Sequence, residues 1–338
     1  MKNTENEFQS PLSHIMTLYM TQCKTLMSDC GYMDRLRHIR DFDKYLVSIS
    51  YQDGELINEK LVTTWISTHK HLASGTIRLY TNSLRKFLSF YTKVTGICTY
   101  EPPLFNNEDR YIPYIFSDEE MSVIYNLVDN YKNGFMNKLP YIHLEFPMVI
   151  RLLDSNGLRL TELITIKMTE VYLAQGILKL VKTKNNRQRL VPLSCDMNSI
   201  LKAYCKVLNL QENSPVYLFP RKNFHEPLKK WDIEDRFRKV LVKAGIRNNR
   251  STNMFAREAC IHCLRHRYTL RVIKQLMAEN ISLEDMIPYI STYLGHKSIT
   301  QTEAYMKFFA DVFPNELEKF GKEASKLLPD KSIWDEWM

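Results

Sequence analysis

The sequence predicts a mostly α-helical chain with one small β-sheet, divided into a helical N-terminal domain and an α+β second domain. Helical periodicity dominates residues 10–97, a single stretch at 176–193 alternates instead, and a proline-containing polar break at 98–113 separates the two. With 338 residues, 44% apolar and 25% charged, the chain can bury two cores of ordinary size and is too apolar for disorder.

In "SGTIRLYTNSLRKFLSFYTK" (74–93), Ile77, Leu84, Leu88 and Tyr91 share one helical face. Arg78, Arg85 and Lys86 fall elsewhere on that helix, available to a phosphate backbone. Pro102, Pro103 and the polar "NNED" then mark a linker, so residues 1–100 form the helical domain and 101–113 the connection. Downstream, "FSDEEMSVIYNLVDN" opens a helix capped by Ser117, with acids in its first turn. "FPMVIRLLDSNGLRLTELITIK" reads as helix, a turn at Gly157, then helix. "GILKLVKTKNNRQRLVPL" (176–193) has two alternating apolar runs around a polar turn, the pattern of a β-hairpin. Helices return from about residue 228. The second domain is assigned 114–310, and an amphipathic tail helix 311–338.

Charge and cysteine usage narrow the function. The formal charge is +8; residues 1–110 hold 13 basic against 12 acidic side chains, and residues 111–338 hold 33 against 26. "KLVKTKNNRQR" (179–189) carries five basic residues, including Lys182, Arg187 and Arg189, and no acidic one. Residues 221–250 hold ten basic against four acidic, with Phe224, Trp231 and Phe237 interleaved. Clusters of this kind in one domain point to a polyanion, with nucleic acid the leading class. No apolar run is long enough to cross a bilayer, and "MKNTENEFQS" is too polar for a secretion signal. Seven scattered cysteines suit reduced thiols in a cytoplasm. "CIHC" (260–263) lacks the second ligand pair a zinc site needs, so ordinary thiols and no metal are expected there.

Four segments carry the chemistry. "SNGLRLTEL" places Arg159 after a glycine turn, with Glu162 three residues on. The hairpin presents Lys184, and "IHCLRHRYTL" puts His262 and Arg265 on one side of a helix, next to His266 and Arg267. "LGHKSITQTEAY" supplies His296 and Tyr305, with Thr300 and Glu303 spaced as a capping box before the tyrosine. Each taken singly has a structural reading: a surface ion pair, a solvated turn lysine, a core histidine, a packed tyrosine.

Together they resemble the tyrosine recombinases, or phage-integrase-type recombinases. That family carries an arginine in "G-L-R-x-x-E-L", matched by Gly157, Leu158, Arg159, Glu162 and Leu163. Its hairpin lysine precedes an "R-x-V-P-L" strand, here "RLVPL", which selects Lys184 over Lys179 and Lys182. Its "H-x-L-R-H" is matched by His262, Leu264, Arg265 and His266, and its "L-G-H" and nucleophile segment by Leu294, Gly295, His296, Ser298, Thr302 and Tyr305.

The resemblance implies a SAM-like helical core-binding domain and a catalytic domain forming a C-shaped clamp on DNA. It implies a site-specific recombinase that cleaves and rejoins double-stranded DNA through a 3′-phosphotyrosine on Tyr305, without metal, ATP or any other cofactor. Arg159, Lys184, His262, Arg265 and His296 would complete the site, supported by Glu162 and His266. Four protomers would assemble on two duplexes, the tail docking on a neighbour, in a bacterial cytoplasm. Two departures stand out. The 31 residues from Arg265 to His296 resemble integrases and transposases of mobile elements, and Arg267 replaces the usual threonine, adding a DNA-facing charge. A type IB topoisomerase and a catalytically inactive DNA-binding relative are the alternatives.

Overall fold

The computed structural model describes residues 8–103, 113–131, 139–181, 183, 188–247, 258–279 and 281–295. These fall into two packing units, divided at residues 110 and 111.

The first unit contains α1 (Ser13–Leu26), α2 (Asp29–Ser48), α3 (Glu59–Thr68) and α4 (Ser74–Thr95). Ser28 and Asn58 cap α2 and α3 by accepting from the N–H of Gly31 and Leu61. The predicted stripe of α4 is buried at Leu84, Leu88 and Tyr91, joined by Phe87, while Ile77 is half-buried. Trp65 of α3 and Phe87 of α4 both meet Phe42 of α2 edge to face, with centroids at 5.3 Å and 6.5 Å, so three helices share one aromatic core. Arg78 and Lys86 are exposed, whereas Arg85 pairs with Glu101 at 3.6 Å.

The second unit begins with α5 (Asp118–Asp129), which carries the predicted cap as a reciprocal box: Ser117 Oγ accepts from Glu120 N–H, and Glu120 accepts from Ser117 N–H. α6 (Ile142–Asn156) buries Ile142, Phe146, Val149, Ile150, Leu152 and Leu153, an apolar stripe nearly half the helix wide, with Glu145, Met148, Asp154 and Asn156 buried beside it. It is therefore the central post, packed against α5, α10, α7 and α8. α6 ends at Gly157, whose φ of +59° is followed directly by α7 (Leu160–Ile164). A Cβ at Gly157 would lie 2.2 Å from Tyr268 Cδ1, so glycine is required for space as well as for the left-handed turn.

After a 3₁₀ turn at Met168–Glu170, three antiparallel strands follow in order: β1 (Val171–Tyr172), β2 (Ile177–Leu180) and β3 (Arg189–Pro192). Leu178 pairs with Val191 and faces the core, while Leu190 is exposed, which is the alternation the hairpin predicts. The hairpin tip residues 182 and 184–187 lie outside the described residues, as do 104–112 of the linker and the tail 311–338. α8 (Cys195–Val207), α9 (Lys230–Lys243), α10 (His262–Ala278) and α11 (Leu283–Leu294) complete the unit. No described helix is long and apolar enough to cross a membrane.

Candidate functional site

The site is assembled where three chain segments meet. The Gly157 turn delivers Arg159 at the mouth of α7, α10 delivers Arg265, and α11 ends against both at Leu294 and Gly295. Arg265, only 2% exposed, donates to the Gly157 carbonyl at 2.8 Å and the Leu294 carbonyl at 2.7 Å. Arg159 donates to the Gly295 carbonyl at 3.2 Å and to Glu162 Oε1 at 2.8 Å. The two guanidiniums are thus anchored to adjacent backbone carbonyls at the end of α11, although 106 positions separate them in sequence.

Glu162 explains how the region tolerates so much positive charge. It is buried on α7, and its second oxygen accepts from Arg189 at 2.7 Å. Burial alone would raise its pKa, but the hydrogen bonds and charges of Arg189 and Arg159 outweigh burial and hold it below the usual carboxylate range. One ionised carboxylate therefore aligns two arginines, leaving an excess of positive charge. Gly295 is needed here too. With φ at +65°, a Cβ would stand 2.8 Å from Arg189 Nη1.

His262, the first residue of α10, is exposed, and its ring meets His266 edge to face at 4.7 Å. His266 is buried, and burial, reinforced by His262 and Arg265, pushes its pKa down to about 3. It is therefore neutral near pH 7. Among the described residues, no group of three or more His, Cys, Asp or Glu could hold a metal ion.

Two sequence expectations need correction. Arg267 does not face DNA: it is 6% exposed, with Nη1 on both Asp154 oxygens at 2.7 and 2.8 Å and Nη2 on Asp118. Asp154 also accepts from Tyr125 at 2.7 Å, so the extra arginine ties α10 to α5 and α6. Arg189 is likewise occupied internally, by Glu162, with a side chain only 10% exposed. Charge count cannot reveal such partners, and no sequence signal marks Asp154 as one. Lys182, Lys184, Arg187, His296 and Tyr305 lie outside the described residues.

The candidate site is thus two anchored arginines behind a glycine-ended helix, in a helical unit with a small antiparallel sheet. Residues 118–282 match the phage integrase family. A Sinorhizobium fredii protein named as an integrase/recombinase is 25% identical over 211 residues, covering 61% of this chain and 64% of its own. Transposase B of transposon Tn554 from Staphylococcus aureus is 27% identical over 194 residues, covering 56% and 28%. The chain thus spans under two thirds of the length of these relatives. Among solved structures, XerH site-specific recombinase bound to a palindromic difH substrate superposes with a TM-score of 0.66 at 18% identity, covering 87% of this chain and 80% of that one. A λ integrase tetramer bound to a Holliday junction gives 0.63 at 15%, covering 87% and 76%. Residues 118–282, just under half of the chain, therefore carry a phage integrase family domain.

Proposed function

We propose that this protein is a site-specific DNA recombinase of a mobile element, which breaks and rejoins strands through a 3′-phosphotyrosine on Tyr305. The observation that carries this reading is the convergence of Arg159 and Arg265 on one region, both held by backbone carbonyls and one of them braced by Glu162.

The chemistry follows from the side chains. A phenol of ordinary pKa, about 10, is ionised in roughly one molecule per thousand at pH 7, so a nucleophilic tyrosine needs a positive pocket. In-line attack on the phosphodiester loads charge onto the non-bridging oxygens. A guanidinium meets two such oxygens with parallel N–H bonds, a geometry lysine cannot copy. Loss of one preorganised donor typically costs about 3–4 kcal/mol of barrier. His262 and His296 complete the hydrogen-bonding cage, and Lys184 protonates the departing 5′ oxygen. The arginines take the charge-neutralising role of a metal, and the phosphotyrosine keeps the energy of the broken bond, so neither metal nor ATP is required. Arg78 and Lys86 of the first unit, with Lys182 and Arg187 of the hairpin, contact the phosphate backbone. Four protomers act on two duplexes, as in the λ integrase tetramer on a Holliday junction, with tail 311–338 docked on a neighbour. The transposase relative favours a mobile-element role.

The test is a nicked duplex bearing the repeats that flank the gene. The wild type should form a covalent adduct in the presence of EDTA, and Tyr305→Phe should bind the DNA yet form none. Adduct of normal yield from Tyr305→Phe, or loss of wild-type adduct in EDTA restored by a divalent ion, would overturn the reading.

A further inference from the structure

Cys260 and Cys263 flank His262 at the start of α10 and play no part in the site described above. Their Sγ atoms lie 3.7 Å apart, unbonded. Cys263 N–H donates to the Cys260 carbonyl at 3.0 Å, closing a four-residue turn. Such a turn holds its end Cα atoms within about 7 Å, and a disulfide spans about 4.4–6.8 Å. Side-chain rotation can therefore bring sulfur to sulfur with little backbone movement.

The two thiols are unequal. Cys263 is fully buried. Cys260 is half-buried and lines an open cleft of about 340 Å³ with Trp231, Phe237 and Arg247. The thiol–thiol hydrogen bond with Cys263, helped by the backbone N–H groups of His262 and Cys263 and by Arg247, holds Cys260 down to about 6 against its burial. The same bond to Cys260, together with burial, pushes Cys263 up. A reachable thiolate backed by a protonated thiol is the arrangement of an attacking and a resolving cysteine.

We propose that Cys260 and Cys263 form a thiol–disulfide exchange site, Cys260 attacking and Cys263 resolving, that takes low-molecular-weight disulfides of the glutathione class. The Cys260 thiolate attacks one sulfur of the disulfide, breaking its S–S bond and expelling one thiolate. Cys263 then loses its proton and attacks Cys260 Sγ, breaking the mixed disulfide and expelling the second. The protein dithiol is oxidised by two electrons, the small disulfide is reduced to two thiols, and the two protein protons end on them.

Full-length protein is incubated with glutathione disulfide, alkylated and digested with trypsin, which cuts after Arg257 and Arg265 and releases both cysteines on one peptide, EACIHCLR. That peptide should be two hydrogens lighter than the dithiol, unalkylated, and restored by dithiothreitol. Cys263→Ser should instead carry one glutathione at Cys260, and Cys260→Ser none at Cys263. The exposed Cys30 and Cys98 are internal controls. If the wild-type peptide stays a dithiol while Cys30 and Cys98 become glutathionylated, or if Cys263→Ser leaves Cys260 bare, the proposal is wrong. The wild-type measurement needs no variant, so a serine substitution that impairs folding does not blunt the test, and neither outcome depends on recombination activity.

Discussion

Glu145 offers a quantitative check on the second core. It sits on α6 with 0% exposure, and neither carboxyl oxygen has a hydrogen-bond partner among the described residues. Burial, reinforced by Asp232 and only partly offset by Arg236, pushes its pKa from an ordinary 4.5 to about 9. Between those values the folded chain keeps a proton that the unfolded chain has released, so the carboxyl makes folding weaker as pH rises through the window and has no effect below it. Each pH unit inside the window is worth about 1.4 kcal/mol, which puts the penalty near 3 kcal/mol at pH 7 as an upper bound. Glu145→Gln keeps the shape and removes the titration. Its stability relative to wild type should therefore grow by up to about 4 kcal/mol between pH 5.5 and 8.5. Hydrogen exchange of the α6 amides, corrected for its intrinsic pH dependence, isolates this unit from the N-terminal one. Parallel pH curves for the two proteins would refute the reasoning and mean that Glu145 titrates alike in both states.

Glu162→Gln removes the charge that aligns Arg159 and Arg189 without touching substrate; strand cleavage should slow by up to about a hundredfold while DNA affinity changes little, measured by single-turnover adduct formation beside filter binding. Arg267→Gln should destabilise the protein by about 3–5 kcal/mol, because Asp154 loses a buried partner, yet leave the salt dependence of DNA binding unaltered; a shallower salt slope would return Arg267 to the DNA surface. Arg78→Ala and Lys86→Ala should each flatten that slope by about one unit, whereas Arg85→Ala, already paired with Glu101, should do less.

The elements were legible wherever one face of a helix or strand had to be apolar. The stripe on α4, the Ser117 cap and the alternation of β2 and β3 are local properties, and periodicity exposes them. Order and spacing in the sequence single out Arg159, Glu162 and Arg265, and the fold brings these three together at the end of α11. What stayed hidden was which arginines are already engaged. Arg267 meets Asp154 across 113 positions, and Arg189 meets Glu162 across 27, distances at which a charge in a sequence names no partner. Gly157 could be read as a turn, but only packing reveals that Tyr268 fills the space where its side chain would be.

The end of α11 is fastened by the two arginines of the candidate site. Arg265 grips the Leu294 carbonyl and Arg159 grips the next one at Gly295, the residue before His296 in sequence. A guanidinium has five N–H groups to share, so an anion drawing on those arginines and the carbonyls holding them compete for one supply. The longer bond, Arg159 to Gly295 at 3.2 Å, is the weaker link in that sharing. Occupancy by an anion and the hold on the end of α11 are consequently two readings of one equilibrium. By thermodynamic reciprocity, an anion that draws on these arginines loosens their grip on the Leu294 and Gly295 carbonyls, and whatever loosens that grip raises anion affinity.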